Sequence, residues 1–267
     1  MPLAEPMQTA LLFGILGLLI GSFLNVVIHR LPRGLSVVSP PSACPACGRR
    51  VRALENIPVL SFLLLGGRCR GCAGRIGWRY PVVEALTGLL TAFSAVQLGW
   101  GPQLLPGLLL LWALLALTFI DLDTQLLPDA ITKPGMLLGV LLNTGVWYGM
   151  GQPLFASPLS SLLGLLLGYG SLWLLAMAYL KLTGKHGMGF GDLKLLGMLG
   201  AWLGWSAVPM ILFIAALTGG LVGIALLAAG RGRHYAIPFG PYLALGGWLM
   251  LLWPQQIIHG YFSLLGG

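Results

Sequence analysis

Long apolar runs alternate with short polar or glycine- and proline-rich connections along most of this chain. Eight of these runs are predicted as membrane-crossing helices, and they cover residues 11–29, 82–99, 104–121, 135–150, 158–180, 193–205, 207–229 and 239–253. About 20 apolar residues in a helix cross the hydrocarbon core of a bilayer. The pattern therefore predicts an all-α polytopic membrane protein with about eight transmembrane helices in a lipid bilayer.

One stretch interrupts this pattern, at about residues 30–80, and it is rich in Arg, Pro, Gly and Cys. The predicted organisation has a first transmembrane helix at 1–29, a small polar insert at 30–80 and a membrane-embedded core at 81–267. The run from 193 to 229 is divided into two spans by a hairpin around Trp205–Pro209.

Composition supports a membrane protein and charge predicts its orientation. The chain is 57% hydrophobic and only 8% charged, whereas soluble domains carry about 25% charged residues. Nine of the 15 Lys and Arg residues lie between Arg30 and Arg79. Because basic loops stay on the cytoplasmic side, we expect a periplasmic N-terminus, a cytoplasmic insert and eight rather than seven spans. This distribution explains the basicity without a nucleic-acid partner.

The insert contains the four cysteines of the chain, in the pattern C-x2-C-x21-C-x2-C: Cys44, Cys47, Cys69 and Cys72. Two CxxC turns with this kind of spacing are typical of tetrahedral thiolate coordination of zinc. Two disulfides would be unusual on a cytoplasmic face, and a redox CxxC would need a thioredoxin-like context. The pattern predicts a structural zinc site, since four thiolates leave no position open for a substrate.

Carboxylates lie beside apolar runs at two places in the chain. Asp192 follows a glycine-rich stretch, MGFGDLKLLG at 188–197, and the second place is FIDLDTQLLPD at 119–129. An Asp near the centre of a membrane helix costs about 2.5–3.5 kcal/mol on insertion scales, so such residues are usually functional. Aspartyl proteases use two carboxylates that share a proton. The partner of Asp192 is then one of three residues: Asp121, the most deeply embedded, Asp123 or Asp129.

Each acidic residue also has a structural interpretation. Asp129 follows Pro128 and could cap a helix that begins near Ile131. Asp192 could form a buried salt bridge with Lys194 or Lys185, although Lys194 could equally extend to the membrane interface. Glu84, near the start of a predicted span, could interact with the dipole of that helix or contribute to a substrate or cofactor site.

Five segments, taken together and in order, are similar to those of one family. These are GSFLNVVIHRLP (21–32), the two CxxC pairs, RYPVVEALTG (79–88), IDLDTQLLPD (120–129) and GMGFGDLKLL (187–196). The chain resembles the type IV prepilin peptidases, which are bifunctional leader peptidases and N-methyltransferases of pilus and type II secretion systems. The resemblance covers essentially the whole chain.

The resemblance implies an intramembrane aspartyl endopeptidase of the GxGD type in the bacterial inner membrane. Such an enzyme cuts prepilins and pseudopilins after a glycine and then methylates the new N-terminal amine with S-adenosylmethionine. The catalytic pair of the family corresponds to Asp121 and Asp192. No glycine-rich Rossmann loop is present for the methyl donor, and we take Asn25 and Glu84 as candidates for its binding site.

Two other functions deserve comparison. A proton-coupled transporter could use the aspartates as a relay, but it would favour internal repeats and broken helices near the middle of the membrane. A zinc-bearing scaffold of a secretion machine would not account for the paired carboxylates. The sequence therefore favours the peptidase.

Overall fold

The protein is all-helical in the part that the computed structural model describes, which is residues 4–185, 189–230 and 237–264. Helix accounts for 74% of these residues, which form no strand beyond two isolated bridges in the insert. The helices are α1 (Ala4–Arg30), α2 (Leu60–Leu64), α3 (Arg79–Leu98), α4 (Leu104–Thr124), α5 (Asp129–Met150), α6 (Pro158–Thr183), α7 (Phe190–Leu203), α8 (Ala207–Ala228), α9 (Gly240–Leu252) and α10 (Pro254–Leu264).

Each of the eight apolar runs coincides with a helix, but eight membrane crossings are not confirmed. Within the described residues, five helices are long and apolar enough to cross a bilayer: α1, α3, α4, α6 and α8. The helix α7 has 14 residues and α9 has 13, so each is only about 20 Å long at roughly 1.5 Å per residue. The helix α5 is long enough, but it begins with charged residues and carries Asn143 in its interior. The protein is therefore a multi-pass membrane protein with at least two short helices among its apolar segments.

The chain divides into two compact units, Met1–Ala116 and Leu117–Gly267, with the boundary inside α4. In the first unit, α1 and α3 pack closely along a series of glycines. A Cβ added at Gly17 would lie 2.6 Å from Thr91 Cβ, and one at Gly21 would lie 2.8 Å from Glu84 Cα. Small residues of this kind allow two membrane helices to approach.

The organisation predicted from the sequence, with a first transmembrane helix at 1–29, an insert at 30–80 and a membrane-embedded core at 81–267, stays a prediction.

The second unit is built around α7. All residues of α7 from Leu195 to Trp202 are buried, and the backbones of α6 and α7 meet directly. A Cβ at Gly164 would lie 2.2 Å from the Gly200 carbonyl oxygen, and one at Gly168 would lie 2.5 Å from the Leu196 carbonyl oxygen. The glycines of this stretch therefore serve packing, and they fix the helix that carries Asp192.

The C-terminal end of α7 is held by buried polar side chains. The last carbonyls of a helix have no partner within it, and the Asn143 amide donates to those of Ala201 and Trp202, at 3.0 and 2.9 Å. The same side chain accepts the N–H groups of Phe155 and Ala156 at 3.1 Å. Asn143 thus uses both ends of its amide to join α5, α7 and the start of α6.

We expect Gly164→Ala to destabilise the protein. The added methyl group would overlap backbone atoms that cannot rotate away, and overpacking of this kind costs about 1–3 kcal/mol. Gly170→Ala is the matched control on the same helix, because a Cβ there has no neighbour within 4 Å. Unfolding in mixed micelles should separate the two variants, and equal stability would show that α6 and α7 separate easily.

Candidate active site and metal centre

Asp192 lies in the first turn of α7, as the sequence predicts. The helix begins at Phe190 after Gly189, whose extended backbone (φ −75°, ψ 142°) ends the preceding connection. Asp192 is the third helical residue and is half-buried. A carboxylate in this position interacts favourably with the unpaired N–H groups of the first turn. Two residues of the GMGFGDLKLL segment, Gly187 and Met188, lie outside the described residues.

Asp121 lies near the end of α4 and is only 4% exposed. Its Oδ2 accepts a hydrogen bond of 3.0 Å from the backbone N–H of Gly240, the first residue of α9. The helix α4 continues to Thr124, and the left-handed conformation of Gln125 (φ 53°) ends it. A buried carboxylate requires such partners, and a backbone donor supplies one here.

The two carboxylates belong to one site within the second unit. Asp121 and Asp192 lie close enough for their charges to interact. Leu127 packs between the starts of α7 and α9, because a Cβ at Gly191 would lie 2.8 Å from Leu127 Cβ and one at Gly240 would lie 3.3 Å from Leu127 Cδ2. The C-terminal end of α4 and the N-terminal ends of α7 and α9 therefore converge on this pair.

The other two aspartates of the second motif are exposed. Asp129 does not cap a helix that begins near Ile131, since α5 begins at Asp129 itself. Its carboxylate instead contacts Lys133 at 2.7 Å and Lys194 at 2.5 Å. The predicted alternative partner of Asp192, Lys194, therefore pairs with Asp129 in the structure, and this ion pair links the start of α5 to α7.

The four cysteines form a compact cluster in the insert. The sulfur atoms of Cys44, Cys47, Cys69 and Cys72 all lie within 4.8 Å of one another, and Cys44 Sγ and Cys72 Sγ are 3.9 Å apart. A tetrahedral zinc ion with Zn–S bonds of about 2.3 Å would separate its sulfur ligands by about 3.8 Å. The arrangement can therefore hold one metal ion with thiolate ligands.

The two halves of this cluster have the same local structure. The N–H of Gly48 bonds to the Cys44 carbonyl, and the N–H of Ala73 bonds to the Cys69 carbonyl, each at 2.9 Å. In both turns the residue after the second cysteine has positive φ, 70° at Gly48 and 55° at Ala73. The N–H of Gly71 also donates to Cys69 Sγ at 3.4 Å, and such bonds lower the pKa of the Cys69 thiol. Backbone donors thus favour the metal-binding thiolate form of Cys69.

An acidic side chain connects the two knuckles of the insert. Glu55 bonds to Arg49 at 2.7 Å and lies 3.8 Å from Arg70. The hydrogen bond from Arg49 holds the pKa of Glu55 below its usual range. This ion pair therefore persists at neutral pH and is lost only when acid protonates the glutamate.

The candidates for the methyl-donor site, Asn25 and Glu84, are buried in the first unit. The Asn25 amide donates to the Tyr80 carbonyl at 3.1 Å, and Glu84 Oε2 accepts the Val59 N–H at 2.8 Å. Glu84 is not in the first turn of α3, so the proposed interaction with the helix dipole is wrong. Both side chains bond to the backbone near the junction of the insert with α3.

Sequence reasoning missed two residues at the carboxylate pair, Gly240 and Leu127. Neither has a chemically active side chain, and Gly240 is 119 positions from Asp121. The signal available was the run Pro238–Pro241, in which a glycine lies between prolines at the start of an apolar segment.

Two protein-family profiles match the chain in sequence order. The Bacterial Peptidase A24 N-terminal domain matches residues 15–98, and the Type IV leader peptidase family matches residues 108–224. The second match contains Asp121 and Asp192. No solved structure matches the chain.

Curated relatives match over nearly their full lengths. The protein from Aeromonas salmonicida strain A449 is 46% identical over 93% of this chain and 92% of its own length. Those from Pseudomonas aeruginosa and Neisseria gonorrhoeae are 43% and 44% identical, over 98% and 93% of this chain and 97% and 90% of their own lengths. All three are named prepilin leader peptidase/N-methyltransferase. With both profiles in order and relatives of this similarity, the chain belongs to the type IV leader peptidase family.

Proposed function

We propose that this protein is a membrane aspartyl endopeptidase that removes the leader of type IV prepilins and pseudopilins after a glycine. It then methylates the new N-terminal residue with S-adenosylmethionine. The observation that carries the proposal is the proximity of Asp121, near the end of α4, to Asp192, at the start of α7. The chain also belongs to a family of leader peptidases. The family match leaves the transporter hypothesis without support.

The peptidase reaction requires one carboxylate to accept a proton from water while the other donates one to the scissile carbonyl. Asp121 is buried and anchored by the Gly240 N–H, whereas Asp192 is half-buried. The pair thus has one side chain fixed by the backbone and one more open to water and substrate. Two nearby carboxylates do not ionise independently, and the reaction uses the form in which the pair shares one proton.

The substrate must also expose its peptide bond. A helical substrate loses local hydrogen bonds before attack, and glycine at the cleavage point lowers the helix propensity there. Gly189 leaves space on the enzyme side, since a Cβ there would lie 4.0 Å from Asp192 Oδ2. Both features favour access of an extended segment to the carboxylates.

We propose zinc as the metal of the four-cysteine cluster, with a structural role. We expect metal analysis of the purified protein to find about one zinc ion per chain, and chelation to unfold the insert, because metal binding supplies the folding energy of small zinc modules. Cys72→Ser should weaken zinc binding, whereas Ser42→Ala, a change near the cluster that removes no thiolate, should not. Protein with two disulfides and no metal would contradict this assignment.

The methyl-donor site is proposed to include Asn25 and Glu84. When bound, S-adenosylmethionine supplies the methyl group, and the protein must hold the deprotonated amine in line with it. Two buried polar side chains in the first unit support this proposal. Their backbone hydrogen bonds also give them a structural function, so a test must separate the two roles.

The charge distribution supports an orientation in the bacterial inner membrane. Nine basic residues in and beside the insert favour a cytoplasmic location for it and a periplasmic N-terminus. A cytoplasmic insert also fits the intracellular supply of the methyl donor and the reduced state of four cysteines.

The proposed function is tested with purified protein and a prepilin-like peptide, with and without S-adenosylmethionine. We expect mass spectrometry to show loss of the leader in both samples and an added methyl group only with the donor. A peptide with the glycine before the cleavage point replaced by a bulky residue is the control and should stay intact. An uncut wild-type substrate would contradict the peptidase function.

A further inference from the structure

The start of α9 contributes a single backbone donor to the carboxylate pair. The first N–H groups of any helix lack intrahelical partners. In α9, Pro241 has no N–H, and the N–H groups of Tyr242 and Leu243 bond to the Phe239 carbonyl at 3.1 and 3.2 Å. The N–H of Gly240 is therefore the donor of this turn that bonds to another element, and its acceptor is Asp121 Oδ2.

Gly240 is required here for space. Its backbone does not have positive φ, so conformation alone would allow an L-residue. A Cβ at this position, however, would lie 2.6 Å from Asp121 Oδ2 and 3.2 Å from Asp121 Cγ. Any side chain would therefore displace the carboxylate or the helix start. The Gly240 N–H bonds to Asp121 Oδ2, and a side chain at position 240 would collide with the same oxygen atom.

The contact extends towards the other aspartate through Leu127. This side chain touches the position of Gly240 on one side and that of Gly191 on the other, and Gly191 precedes Asp192. A shift of the α9 start would thus be transmitted to both carboxylates. The glycines let three backbone segments converge where side chains would keep them apart.

We propose that Gly240 is a positioning residue for the peptidase reaction, which fixes Asp121 by engaging Oδ2 and leaves its other oxygen for the shared proton and the attacking water. The inference rests on the proposed peptidase function. It assigns a role in proteolysis to the start of α9, which is otherwise an apolar helix without charged residues. Gly240 itself does not touch the reacting atoms of the substrate.

The test compares Gly240→Ala with Gly220→Ala. A Cβ at Gly220 has no neighbour within 4 Å, which makes it a matched control in the second unit. We expect Gly240→Ala to lower kcat for leader cleavage at least about a hundredfold with KM within about threefold of wild type, because a misplaced carboxylate affects the transition state more than binding. Methylation of a pre-trimmed peptide should stay within about twofold. The Gly220→Ala protein should match wild type in both reactions.

A second variant separates positioning from a folding defect. In Leu127→Ala/Gly240→Ala, the contact of the new methyl group with Leu127 is relieved, but the contact with Asp121 Oδ2 remains. We expect this protein to fold and methylate while cleaving poorly, and Leu127→Ala alone to cleave much better than the double variant.

Three results would overturn the inference: cleavage by Gly240→Ala within threefold of wild type, equal loss of cleavage and methylation, or failure of both Gly240 variants to fold. Wild type and Gly220→Ala distinguish this failure from failure of the proposed function. If they cleave and Gly240→Ala cleaves equally, only the positioning role is wrong. If wild type does not cleave the substrate, the peptidase function is wrong.

Discussion

Asp121→Asn and Asp192→Asn are each expected to abolish leader cleavage. An amide cannot accept a proton from water or share one as a carboxylate does, and loss of a general acid or base costs about 100- to 10,000-fold in rate. Asn is close in shape to Asp, so the hydrogen bond of residue 121 with the Gly240 N–H can persist through the amide oxygen. The measurement is the rate of peptide cleavage by mass spectrometry, with zinc content and thermal unfolding as evidence of folding.

The matched control for the pair is Asp123→Asn. Asp123 lies two residues after Asp121 on the same helix but is exposed, so its replacement should leave cleavage within about threefold of wild type. If Asp123→Asn were inactive and Asp121→Asn active, the pair would have to be reassigned to Asp123. Normal cleavage by either Asp121→Asn or Asp192→Asn would refute the assignment of the pair to these two residues.

The two segments that carry the carboxylates could be located from sequence because their signals are local, whereas the choice of Asp121 over Asp123 and Asp129 came from the family resemblance. Asp192 follows glycines at the beginning of an apolar run, and Asp121 ends another, so a helix start and a helix end are legible without a structure. The partner of Asp129 was not predictable in the same way. Its second cation, Lys194, lies 65 positions away, and only the packing of α5 against α7 brings the two charges together.

The apolar runs predicted helices correctly but did not determine membrane crossings. A helix such as α7, surrounded by protein on most sides, needs apolar residues for the same reason as a helix in lipid. Hydrophobicity is therefore similar in the two cases, and only length distinguishes them. The helix α7 has only 14 residues, so the carboxylate that we propose as catalytic, Asp192, lies on a short helix held between longer ones.

Asn143 illustrates a structural role that composition obscures. One amide within an apolar segment has little meaning in the sequence, yet it makes four backbone hydrogen bonds at the end of α7. Its amide nitrogen donates to carbonyls, and its amide oxygen accepts N–H groups, that would otherwise be unpaired in an apolar environment. The partners lie at the end of α7 and in the connection before α6, and these could not be placed to within one residue from the sequence.

The final prediction concerns the independence of the two reactions. Proteolysis requires the carboxylates, whereas methyl transfer requires a deprotonated amine held in line with the donor methyl group. We therefore expect Asp192→Asn to methylate a peptide that is already trimmed to its mature N-terminus, at a rate within about threefold of wild type. The test supplies this peptide and S-adenosylmethionine to the folded variant and measures the added methyl mass.

Glu84→Gln tests the opposite case, in which cleavage is kept and methylation is slowed. The glutamine oxygen can still accept the Val59 N–H that Glu84 binds at 2.8 Å, so the structural tether is preserved while the negative charge is removed. If Glu84 contributes its charge to the donor site, this variant should cleave at a normal rate and methylate at least about tenfold more slowly, with a raised KM for S-adenosylmethionine. Normal methylation by Glu84→Gln would reduce Glu84 to its structural role. Loss of methylation in folded Asp192→Asn would have the larger consequence, because both reactions would then depend on the same aspartates and a separate methyl-transfer site would be excluded.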